Sequence, residues 1–151
     1  MPVDLEQLRA KAAFRAALAA LNGGGGDDFL GQARRLPVLL RTNGLLASWA
    51  YLKAKEREVA VIRGALREHL RERHPEHLAK VDVLFEQDDA PEPENRLSAM
   101  ELQALTTEAL AFAGWLKRAA EGVCSTGSGD AQETTGDDSH EGSQGPDAGE
   151  G

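Results

Sequence analysis

Apolar residues recur along this chain at three- and four-residue intervals, the period of an α-helix. Asp4 opens the first such segment with the capping-box spacing to Gln7, and the segment runs to about Leu21. Its stripes are unusual. Leu5, Leu8 and Ala12 lie on one side, while Phe14, Leu18 and Leu21 lie nearly opposite. A helix apolar on both sides needs neighbours on both sides. It is either the central helix of a bundle or one with its inner face on the core and its outer face on another subunit. Four glycines then interrupt the pattern, so residues 22–28 read as a mobile connector, with Asp27 or Asp28 capping a helix that starts near Phe29. With no GK[ST] and no flanking strand, this is not a phosphate-cradling loop.

Phe29, Ala33, Leu36 and Leu40 repeat at helical spacing, with Pro37 predicting a kink and Asn43-Gly44 a second discontinuity. Leu45, Trp49 and Leu52 resume the helix. Residues 56–73 form the clearest surface helix, apolar at Val59, Ile62, Leu66 and Leu70, with Arg63, Arg67 and Arg71 four apart on one ridge. His74-Pro75 ends it, and a short helix carrying Leu78, Val81 and Phe85 follows. Residues 86–96 are acidic with two prolines and read as an exposed loop. Ser98 and Glu101 form a capping box for a last helix with Leu102, Leu105, Ala109, Phe112 and Leu116 as its stripe. That helix is expected to end near Glu121, with Gly122 closing it.

Composition supports helices throughout. There are 24 Ala and 20 Leu against seven Val and one Ile, and no β-branched run of strand length. The expected fold is all-α: a single compact bundle of about five to six helices over residues 1–121, followed by a disordered acidic tail over 122–151. The net charge of −8 argues at first against nucleic acid, but it is unevenly spread. The tail holds seven acids and no Lys or Arg, which leaves the body at −1.

No catalytic constellation stands out. His69, His74 and His77, near Glu72 and Glu76, match neither HExxH nor HxxEH and read as a solvated helix end. Cys124 is a lone thiol in the tail, a bystander that excludes an internal disulfide. The longest apolar run, Ala16 to Leu21, is far short of a membrane span. These features imply a non-enzyme without catalytic residues, metal or cofactor, cytoplasmic and away from membranes.

What remains is basic charge. From Arg34 to Arg73 ten bases face four acids, a net of +6, and Lys117-Arg118 adds a pair on the last helix. Such a surface is either a solvated set of ion pairs or a sequence-independent phosphate track. The two Trp residues fall near helical stripes and read as core rather than as a base-stacking platform.

Two segments carry a resemblance. The first, Ala33 to Lys55, contains Arg34-Arg35, Leu36-Pro37, then Thr42-Asn43-Gly44-Leu45, and closes on Lys53 and Lys55. The second contains Thr106, Glu108-Ala109-Leu110 and Trp115-Leu116-Lys117-Arg118. Together they resemble the small helical subunit of type III-B CRISPR effector complexes, the Cmr complexes. The pattern departs from that family at Leu102, in the Gly114 region, at the tetraglycine and in the tail.

The resemblance implies a non-catalytic subunit, several copies of which stack along the guide–target RNA duplex and contact its backbone without reading bases. Its partners would be guide and target RNA, further copies of itself and the other effector subunits, which hold the chemistry. The residues expected to reach RNA are Arg34, Arg35, Arg41, Thr42, Asn43, Lys53, Lys55, Arg63, Arg67, Lys117 and Arg118. The alternative is a helical adaptor that binds only protein, through the two-sided first helix. The seven tail acids nearly match the +6 segment, so the tail is expected to occupy the basic surface until RNA displaces it.

Overall fold

Five helices and one short 3-10 turn make up the described part of the molecule: α1 (Leu5–Asn22), α2 (Gly26–Ala54), α3 (Ala60–Arg73), α4 (Pro75–Glu86), the turn at Pro93–Asn95, and α5 (Ala99–Val123). The computed structural model describes residues 4–55, 59–86 and 89–124. Most of the tail, 125–151, lies outside them, as do parts of the 56–73 helix start and the 86–96 loop. Among the described residues there is no strand.

α5 is the axis of the bundle. It packs most extensively against α1 and α2, and also touches α3 and α4. Its stripe of Leu105, Ala109, Phe112 and Leu116 is buried, as the periodicity predicts, with Leu102 at the edge. The capping box forms: the Ser98 hydroxyl accepts from the Glu101 N–H, and the Glu101 carboxylate accepts from the Ser98 N–H. The helix runs past the expected stop. Gly122 is helical and Cys124 is the cap residue. Cys124 is buried, not a tail residue; its thiol lies over the α1 backbone at Ala17. Burial pushes that thiol above its usual range, with the Asp27 charge adding to the effect.

The face that α1 presents to the core is neither of the two stripes the spacing suggests. Ala13, Ala17 and Ala20 are buried, whereas Leu8, Phe14, Leu18 and Leu21 are exposed. Small residues let α1 lie close against α5, whose Ala109, Ala113 and Ala120 are buried as well, leaving the bulkier side chains outside. The central-helix reading is therefore wrong for the outer stripe: Phe14 is 51% exposed. The start differs too. Asp4 caps α1 through the Glu6 N–H at 3.0 Å rather than through a box with Gln7.

The glycine run ends α1 as a Schellman turn. The Gly25 N–H reaches Ala20 O, and the Gly24 N–H reaches Leu21 O. Gly24 sits at φ 85°, where a side chain would be strained. α2 begins at once, at Gly26, so Asp27 and Asp28 lie in its first turn instead of capping it.

Pro37 is buried inside α2 without a break in the dihedrals; the discontinuity is at Gly44 alone, at φ 82° and ψ 170°. The two halves of α2 are joined across that break by buried Ser48, whose hydroxyl donates to the Leu39 carbonyl at 3.1 Å. Ser48 is wholly buried, so this bond satisfies a hydroxyl that would otherwise be left without a partner.

Candidate nucleic-acid interface

The expected RNA-contacting residues occupy four places in the fold. Arg34 and Arg35 are exposed on the first half of α2, one residue apart and therefore on different faces. Arg34 pairs with Glu121 of α5 at 3.1 Å. Lys117 is four residues before Glu121 on the same ridge, so the pair brings Arg34 and Lys117 into one neighbourhood. Arg35 turns the other way, lining a cleft with Tyr51 and Leu52 of the second half of α2 and Ile62 of α3. Arg41, Thr42 and Asn43 are exposed on the turn before Gly44.

Lys53 is half-buried and Lys55 is exposed at the far end of α2. Arg63 is half-buried on α3. Arg67 is engaged: its guanidinium donates to Asp82 and ties α3 to α4. Lys117 and Arg118 are exposed on α5, and the Arg118 guanidinium carbon lies 4.9 Å from the centre of the Trp115 ring. The Trp115 indole N–H donates to Glu6 and pins the start of α1 to α5. Trp49 is core, at 2% exposed; Trp115 is only half-buried.

Behind this surface lies a buried polar centre that the spacing did not reveal. Glu108, in the second resemblance segment, is 4% exposed. Arg9 of α1 clasps its two oxygens with two bonds of 2.8 Å, and His69 Nε2 of α3 lies 2.7 Å from the same carboxylate. The Arg9 bonds hold the Glu108 carboxyl down at about 2, against the opposing effect of burial, with His69 assisting. An ionised carboxylate has no proton to give, so His69 donates from Nε2. Burial lowers the His69 pKa from 6.5; the Glu108 bond and charge oppose this, and Arg73 and Arg9 add to it.

The His69 ring stacks on Phe112 at 4.1 Å between centroids. His69 is thus a core residue, not part of a solvated helix end. Its place in the apolar series of Ile62, Leu66 and Leu70 was the available signal. His74 and His77 stack on each other at 5.3 Å nearer the surface. No group of three His, Cys, Asp or Glu among the described residues is placed to hold a metal ion. None of the described helices is long and apolar enough to cross a membrane.

Comparison with known families decides the assignment. A family model described as CRISPR-associated protein (Cas_Cmr5) matches residues 5–123, from the first residue of α1 to the last of α5. The chain belongs to this family. It is a subunit of the type III-B CRISPR Cmr complex, from a family of structural small subunits, and its partners are the other subunits of that complex. No curated protein and no solved structure matches it. The Cmr-family match runs through Glu108 and Trp115 as well as the basic residues, so the segments that carry the resemblance mix inward and outward roles.

Proposed function

We propose that this Cmr subunit is non-catalytic and that several copies stack along the guide–target RNA duplex in the cytoplasm, contacting its backbone without sequence preference, in antiviral defence. The observation that carries this reading is the division of labour among the cations. Arg9 and Arg67 are spent on ion pairs inside the fold, while Arg35, Arg41 and Lys117 are exposed on the family-matched helices. Guide sequence varies between complexes, so a supporting subunit must meet phosphates and ignore bases. Arg35, Arg41 and Lys117, with Thr42 and Asn43 as hydroxyl and amide donors, suit that task. Arg34, Lys53, Lys55, Arg63 and Arg118 extend the track, whereas Arg67 would first have to leave Asp82.

The exposed α1 stripe serves the protein side of the assembly. Leu18 and Leu21, at 47% and 43% exposed, are positioned for a neighbouring subunit. The same stripe favours the second reading, an adaptor with no RNA contact. Purification of the tagged full chain with its neighbouring subunits separates the two. Recovery of a guide RNA of defined length, lost together with the stacked copies after nuclease treatment, supports the proposal. Recovery of the same protein partners with no RNA and no nuclease sensitivity would establish the adaptor.

A further inference from the structure

Ala10 and Phe14 of α1 and Trp115, Arg118 and Ala119 of α5 line a groove of about 180 Å³ on the outer face of the bundle. Sites for drug-sized ligands measure about 300–1,000 Å³, so this one suits a single flat ring system. Its walls are almost wholly apolar, and two of them are aromatic. Phe14 is 51% exposed, unlike the phenylalanines of the core. Trp115 is held in orientation by its bond to Glu6, so little ordering is left to lose on binding. The Arg118 guanidinium lies over the Trp115 ring.

The charges at the rim select the occupant. Exposed Lys11 is one turn before Phe14 and Arg118 is exposed on the α5 side, while the Glu6 carboxylate is already engaged by the Trp115 indole and Arg9. An apolar protein side chain would fill the groove and leave this cationic rim unanswered. A nucleotide answers both features: its base stacks on an aromatic face and its phosphate meets Lys or Arg. We propose that the groove seats one unpaired base of the bound RNA, with Phe14 and Trp115 as stacking faces and Arg118 and Lys11 on the flanking phosphates. This rests on the RNA-backbone reading above and adds a base contact that is indifferent to sequence, because every base has a π-face.

The test uses the full chain at low salt, titrated with a short oligoadenylate and with an abasic oligomer of equal phosphate number. Trp49 is buried and gives a constant background, and Trp115→Phe supplies the reference without the reporting indole. The expected result is quenching of Trp115 by oligoadenylate but not by the abasic strand. Phe14→Ala, at an exposed position, should keep the melting temperature. It should weaken oligoadenylate binding about fivefold or more with an unchanged salt slope. Salt-dependent binding without quenching, and with Phe14→Ala as tight as wild type, overturns the base site and leaves the backbone reading standing. Loss of protein partners in Phe14→Ala with RNA affinity intact would assign the groove to a subunit contact and also overturn it. Absence of any RNA binding at low salt removes both readings.

Discussion

Glu108 receives three hydrogen bonds from two helices, two from Arg9 on α1 and one from His69 on α3. The alanine face of α1 is smooth, and this carboxylate fixes the register at which it meets α5. Truncating Glu108→Ala strands buried His69 and the part-buried Arg9 guanidinium, and should cost about 3–5 kcal/mol in a urea melt. Replacing all three, with Glu108→Leu, Arg9→Met and His69→Phe, should cost far less, since no charge is left unpaired.

The centre also sets an acid limit. The folded pKa of His69 lies below 6.5, so its contribution to stability is present above pH 6.5 and is lost as pH falls towards the folded value. Glu108 falls from 4.5 to about 2, so its contribution is present above pH 4.5 and is lost on the way to pH 2. Urea midpoints should therefore decline in two stages on acidification, and His69→Gln should flatten the first. An unchanged first stage in that variant would show that another group governs it. The contact itself is not legible in the sequence, because Arg9 and Glu108 are 99 residues apart; the motif that contains Glu108 does not say that it faces inward, and only the place of His69 in an apolar series hints at the centre.

At the scale of elements, periodicity located all five helices, because each buries one stripe and the stripe is visible as spacing. It failed where size, not hydropathy, decides. The core face of α1 is alanine, so its large apolar residues marked the outside. It also placed the main bend of α2 too broadly. Pro37 is absorbed in the helix, and Gly44 alone takes the positive φ that turns the chain. Gly44→Ala should therefore destabilise the fold by about 1–3 kcal/mol, because φ 82° with ψ 170° is a conformation essentially open only to glycine. Pro37→Ala should leave the bend in place. A thermal melt measures the first, and helix boundaries from backbone chemical shifts measure the second. A Gly44→Ala protein as stable as wild type would mean that the bend is held from elsewhere.

For the whole molecule, the −8 charge says little until it is divided along the chain. Spacing along the chain shows where the basic residues are but not which of them are held in ion pairs across the fold. Ion pairs such as Arg34 with Glu121 and Arg67 with Asp82 join residues 87 and 15 positions apart, contacts that spacing on one helix cannot show. The boundary of the acidic segment also moves. Cys124 is packed against α1, so a truncation after Glu121 would cut into the core, whereas all seven tail acids lie beyond Cys124. Removing 125–151 should leave the melting temperature unchanged and raise RNA affinity at low salt, as expected if those acids compete with phosphates for the basic track. Equal affinity with and without the segment would reject that competition.

In the proposed assembly, exposed cations on α2 and α5 meet the RNA backbone. The most direct test of this contact is a filter-binding salt titration of the full chain with Arg35, Arg41 and Lys117 all changed to Glu, beside a circular-dichroism melt. These side chains are exposed and outside the Arg9–Glu108 centre, so the melt should match wild type. RNA binding should weaken on every sequence alike, and the log–log salt slope should become shallower by about 2–3, one unit of counterion release for each lost phosphate contact. A folded triple variant with wild-type affinity and an unchanged slope would contradict that contact.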